Sequence, residues 1–106
     1  IRDEKLTFLR SQLSFCNVSH LDLRKLVLKD CIAREADLRH AKLKEGDFRG
    51  TDFMGTRFLQ TDLAEADFRG ATNYAIDPLH NILRKTRFAL PEATSLLYGL
   101  DIIIDD

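Results

Sequence analysis

The stretch Cys31–Gly70, CIAREADLRHAKLKEGDFRGTDFMGTRFLQTDLAEADFRG, places an apolar side chain at every fifth position: Ala33, Leu38, Leu43, Phe48, Phe53, Phe58, Leu63 and Phe68. Read backwards, the same column continues through Leu28, Leu23, Val18 and Leu13 to Phe8 without a miss. In a chain that is 44% apolar, such a run arises by chance on the order of once in ten thousand trials. A second column stands two residues earlier. It begins Leu6, Ser11, Cys16, Leu21, Leu26, and from Cys31 onward holds only small side chains: Ala36, Ala41, Gly46, Thr51, Thr56, Thr61, Ala66 and Ala71.

A period of five fits neither regular element. Five residues overshoot a helical turn by about 140° and land on the opposite face of a strand, so no straight segment can bury this column. The two columns are nevertheless two residues apart with a polar residue between them, which is the alternation of a short strand. If the chain turns a corner after each five residues, always in the same sense, four units close a square coil. Successive coils then stack at about 4.8 Å, the strand spacing of a sheet. The expected fold is thus an all-β solenoid, a quadrilateral parallel β-helix of about three and a half coils. Residues twenty apart form its core ladder: Phe8, Leu28, Phe48 and Phe68; Leu13 and Phe53 with the smaller Ala33; Val18, Leu38 and Phe58; Leu23, Leu43 and Leu63.

Segments such as Ala36-Asp37-Leu38-Arg39-His40, Gly46-Asp47-Phe48-Arg49-Gly50 and Ala66-Asp67-Phe68-Arg69-Gly70 resemble the A(D/N)LXX pattern of the pentapeptide-repeat superfamily. The resemblance spans residues 6–75 and is loosest before Cys31, where Leu21, Leu26, Val27 and Ile32 replace the usual small or polar residues. It implies right-handed coils. It also implies a non-enzymatic interaction or scaffolding module offering flat faces to a protein partner. A second implied role is protection of gyrase against quinolones or toxins by mimicry of DNA. Residues 6–75 hold eleven basic and ten acidic side chains, a balance that speaks against mimicry, which needs a negative field.

Asn73 interrupts the central column and Pro78 falls on its next position, so the repeat is expected to stop near Ala75. Residues 76–106 then read as a cap: a loop at Asp77-Pro78, a strand over 82–88, a helix over about 91–98 and a terminal apolar strand. Ala93, Leu96, Leu97 and Leu100 follow helical spacing. Ile102 to Ile104 is either a final strand or part of a self-association surface. Leu96, Leu97, Leu100, Ile102 and Ile104 therefore form the candidate cap or dimer surface, since resembling proteins often pair through their C-terminal ends. Residues 1–5 read as a stub, and Ile1 in place of Met leads us to expect further chain upstream that continues or covers the first coil.

The chain has 106 residues and a formal net charge of -1, which suits one domain and favours neither nucleic acid nor an acidic substrate. It holds no apolar run long enough to span a bilayer and no secretory leader, so a cytoplasmic protein without membrane contact is expected. Cys16 and Cys31 fall in the small column and read as core filler rather than as a disulfide or a nucleophile. His20 and His40 are one coil apart at the same corner, with Gln60 following and no carboxylate or thiol completing a ligand set. Outside the core, Lys29, Arg49 and Arg69 should form a basic ladder, with Asp47 and Asp67 beside it. It could grip an anionic partner, nucleic acid or lipid included, or neutralise itself. No catalytic set, metal site or cofactor site emerges, because a filled solenoid offers no pocket.

Overall fold

The computed structural model describes residues 6–103 and residue 105, and forms a rod measuring 48 × 24 × 22 Å. The expected stub at residues 1–5 and the candidate surface residue Ile104 lie outside the described residues.

Parallel pairing at a constant offset of twenty residues builds the rod. Strand β1 (Thr7–Leu9) pairs with β2 (Val27–Lys29) through Thr7↔Val27, Phe8↔Leu28 and Leu9↔Lys29. That face continues as bridges Val27↔Asp47, Asp47↔Asp67 and Asp67↔Arg87. The other three faces show the same offset: Gln12↔Ile32↔Asp52↔Thr72, Asn17↔Asp37↔Arg57, and Asp22↔Lys42↔Asp62↔Ile82. Each side of the square is so short that most pairing consists of single bridges. Regularity in the stack, not strand length, supplies the cooperativity.

The corners follow from backbone geometry. Every fifth residue from Arg10 to Gly70 has a positive φ, between 46° and 76°, and only Gly50, Gly55 and Gly70 among them are glycines. Many corners close with a hydrogen bond across the turn, as from the Cys16 N–H to the Leu13 C=O at 3.3 Å and from the Ala71 N–H to the Phe68 C=O at 3.0 Å. The third residue of such a turn must have positive φ, as type II turns require. The residues there are mostly His, Lys, Glu, Asp and Gln, whose polar ends remain in solvent.

Inside, Leu43, Phe48, Phe53 and Leu63 are completely buried. Phe48, Phe53, Phe58 and Phe68 pack ring to ring at centroid distances of 5.1 to 6.2 Å. Ladder residues of the first coil are less protected: Phe8 is 36% exposed, and Leu13, Val18 and Leu23 are only partly buried.

Three features differ from the sequence expectation. Pairing runs beyond Ala75 to Arg87, so the Thr7 face completes four turns. Asn73, at φ 58°, turns outward, and Tyr74 takes the inward place one residue late. Ile76 is also buried, a 3-10 turn at Pro78–His80 replaces one side, and Leu83 and Phe88 return to the original column against the core. Next, the C-terminal helix is a 3-10 helix over Glu92–Leu100, not an α-helix over 91–98. Its three-residue turn aligns Ala93, Leu96 and Gly99 and takes Leu97 off that line. Leu96 packs on the core, whereas Leu97 is 37% exposed. Finally, no strand forms over residues 101–103, and Ile102 is 53% exposed.

Candidate functional site

The outward side chains lie on either side of each inward Leu or Phe, two residues apart and therefore on the same side of the strand. An aspartate before the inward residue and an arginine after it can consequently meet. Asp47 accepts from Arg49 Nε at 2.9 Å and Nη2 at 2.8 Å, and Asp37 from Arg39 at the same two distances. Asp67 accepts from Arg69 Nη2 at 2.6 Å, and Asp22 from Arg24 Nε at 3.1 Å. The same carboxylates also accept the backbone N–H two residues on, as at Arg39 (3.1 Å) and Arg69 (3.0 Å). Each fork therefore braces its own strand.

These contacts shift the titrations. The side-chain hydrogen bond from Arg39 holds the Asp37 carboxyl down at about 2, and Arg49 and Arg69 lower Asp47 and Asp67 in the same way. Arg39, Arg49 and Arg69 are raised in return.

Of the candidate basic ladder, Arg49 and Arg69 are thus engaged by carboxylates of their own face, while Lys29 has no ion pair among the described residues. Arg34 crosses between coils to Asp52 at 2.7 Å, and Lys44 lies 3.8 Å from Glu65. The His20 and His40 rings stack at 4.6 Å with planes 9° apart. His80 ends the same corner column and bonds through Nδ1 to Asp77 at 2.7 Å. No group of three or more potential metal ligands gathers among the described residues. Cys31 is buried, its thiol donating to the Phe8 C=O at 3.3 Å, and burial raises the Cys16 thiol.

Sequence reasoning missed the hydrogen bonding of the small column. Thr51 donates to the Leu28 C=O and accepts the Cys31 N–H at 3.1 Å. Thr56 donates to the Ala33 C=O and accepts the Ala36 N–H at 3.4 Å. Thr61 and Thr86 donate to Leu38 and Leu63 at 2.8 and 2.7 Å. Asn81 accepts from the Thr61 N–H at 3.0 Å. These side chains insert into the corner of the coil before them and satisfy backbone groups that would otherwise be buried without partners.

At the C-terminal end, a groove of about 420 Å³ runs between the fourth coil and the 3-10 helix, lined by Met54, Tyr74, Ile76, Asp77, Ser95 and Tyr98 among others. The Tyr74 hydroxyl is buried and has no hydrogen-bond partner among the described residues.

The family profile described as pentapeptide repeats matches eight copies over residues 11–50 and 34–70. The chain belongs to the pentapeptide-repeat family. Its fold is accordingly a right-handed quadrilateral β-helix, as in the full-length structure of QnrB1, a plasmid-mediated fluoroquinolone resistance protein. That likeness has a TM-score of 0.55 at 21% identity and covers 81% of this chain and 43% of QnrB1. HetL from the cyanobacterium Nostoc, a pentapeptide-repeat protein involved in heterocyst differentiation regulation, is similar at 19% identity and a TM-score of 0.48, over 77% of this chain and 45% of its own. The chain therefore spans less than half the length of either protein. No curated protein sequence matches it. Pentapeptide-repeat proteins are generally non-enzymatic structural or interaction modules. Among the described residues no helix is long and apolar enough to cross a membrane.

Proposed function

We propose that this pentapeptide-repeat chain is a non-enzymatic interaction module that offers a flat, rigid face to a protein partner. The observation that supports it is the repeated Asp–Arg fork. Fixed guanidinium and carboxylate groups recur at strand spacing on a filled core, so a partner would meet a surface whose ordering cost is already met by the fold. Four arginines sample the four faces: Arg24, Arg34, Arg39 and Arg49. For a partner isolated with the natural full-length protein, changing each of these to Glu should abolish binding on one face and leave the other three variants unaffected. Equal binding by all four folded variants would refute the reading.

The fold likeness to QnrB1 supports a second reading, protection of gyrase. The forks weigh against it, because they neutralise the faces that mimicry of DNA would need to be negative. A supercoiling assay with gyrase and ciprofloxacin discriminates: rescue of supercoiling by the purified protein establishes protection, and no rescue removes it. The exposed Leu97, Tyr98, Ile102 and Ile103 would serve a homodimer through the cap. Sedimentation that stays monomeric at high protein concentration would remove that arrangement.

A further inference from the structure

The last coil ends on an open edge whose hydrogen-bonding pattern is already written in the coils beneath it. On the face ending at Lys85, the Leu43 and Glu45 N–H groups donate to Asp62 and Ala64 at 2.8 and 2.9 Å. One coil later, Leu63 and Glu65 donate to Ile82 and Arg84, both at 2.9 Å. The carbonyls of Ala41 and Thr61 accept from Asp62 and Ile82, both at 3.0 Å. The next members of these three series are the Leu83 N–H, the Lys85 N–H and the Asn81 C=O, and none has a partner among the described residues. The cap lies elsewhere on this end: Ser95 Oγ donates to the Tyr74 C=O at 3.3 Å, and Gly99 stands against Asp77.

The side chains along this edge have a definite chemistry. Arg84, Lys85 and Arg87 project outward within four residues and make no ion pair among the described residues. Of the carboxylates in the coil beneath, Asp67 is held by Arg69 at 2.6 Å, Glu65 lies 3.8 Å from Lys44, and Asp62 accepts the Ala64 N–H at 3.1 Å. Ile82 and Leu90, 52% and 79% exposed, flank the cations.

We infer that residues 81–85 form a docking edge for an acidic, extended peptide segment of a partner protein. The segment adds as a parallel strand, its carbonyls accepting from Leu83 and Lys85 and its carboxylates meeting Arg84, Lys85 and Arg87. Backbone pairing fixes the strand in place, and the three cations select its charge. The edge is the backbone rim at the end of one face, and its binding is tested independently of whether any flat face binds.

The test uses the whole chain and an end-blocked octapeptide alternating aspartate with valine, with its lysine counterpart as control. Amide exchange at Leu83 and Lys85 should be fast in the free protein and slow by at least about tenfold with the aspartate peptide. Binding should weaken as salt rises, and weaken about tenfold or more in the double variant Arg84→Glu/Arg87→Glu. Because both side chains are exposed, that variant should unfold at the same temperature as the parent. Equal binding of the lysine peptide, or no protection of the two amides, overturns the inference. So does protection without peptide. If it grows with protein concentration, the occupant is a second copy; if it disappears on deletion after Asp101, the occupant is the chain's own C-terminus.

Discussion

The first and third coils share one register, with Phe8 matched by Phe48 and Leu23 by Leu63, yet they differ in burial. Phe48, Phe53 and Leu63 have no exposed surface and Phe58 has 8%, while Phe8 is 36% exposed and Leu13, Val18 and Leu23 are only partly covered. Position in the five-residue column decides the direction a side chain points. Coils above and below decide how much water it loses. In a solenoid each unit touches only its neighbours, so the same residue type contributes differently by its place in the stack.

The largest expected effect comes from the middle. Phe48→Ala opens a void beside the rings of Phe53 and Phe68 and should cost about 3 to 5 kcal/mol in chemical denaturation. Phe8→Ala removes a ring that already faces solvent and should cost roughly 1 to 2 kcal/mol. Equal losses at both positions would break the comparison, because they would mean that the first coil is covered as fully as the third. Between them stands Thr51→Val, a change of nearly constant volume. It leaves the Leu28 C=O and the Cys31 N–H without the hydroxyl that serves both, and should cost about 1 to 3 kcal/mol. Substitution of Ser11, which occupies the same column in the first coil but whose exposed hydroxyl, among the described residues, bonds just the Leu9 C=O across the corner (3.0 Å), should change stability far less.

Acid unfolding sharpens the same contrast at the surface. Asp37 is pulled from the ordinary 3.8 to about 2, chiefly by the hydrogen bond from Arg39. A depressed carboxylate stabilises the fold fully above its unfolded value and loses that contribution as pH falls through its folded value. The loss therefore runs from about pH 4 to about pH 2. Asp37→Asn should flatten thermal stability across that window, and parallel curves for variant and parent would show that the fork does not matter to folding. Asp22 in the first coil makes one longer side-chain contact, to Arg24 Nε at 3.1 Å, so Asp22→Asn should lower the melting temperature at neutral pH less than Asp37→Asn does.

The regular coils were legible because column and fold share one cause: a core position must recur wherever the square closes. The forks were half legible. Adjacent stripes of opposite charge could be read, but pairing within one strand needed the observation that both positions face outward. The threonine ladder was hidden because Thr, Ala, Cys and Gly are equally small. Its acceptors also lie 23 residues back, an offset that has meaning only once coil and corner are known. Leu83 and Phe88 stand on the column, yet Pro78 reads as a stop although it replaces only one side. The C-terminal helix reads as α because Ala93, Leu96, Leu97 and Leu100 fit a 3.6-residue period, whereas the segment winds at three.

The irregular side offers the smallest and most discriminating effect. Tyr74 entered the core one residue out of register, and its ring packs 5.7 Å from Phe68 and 5.5 Å from Phe88. Its hydroxyl finds no partner among the described residues, and burial, followed by the nearby Glu92, pushes its pKa up. A buried group without a hydrogen bond costs stability, whereas an apolar group of the same shape does not. Tyr74→Phe should therefore leave stability unchanged or raise it by up to about 1 kcal/mol. The parallel change at a regular position, Thr51→Val, removes a hydroxyl with two partners and must lower it. If Tyr74→Phe were the more damaging of the two, the hydroxyl would have to be bonded, and the out-of-register residue would be held by its polar end rather than by its ring.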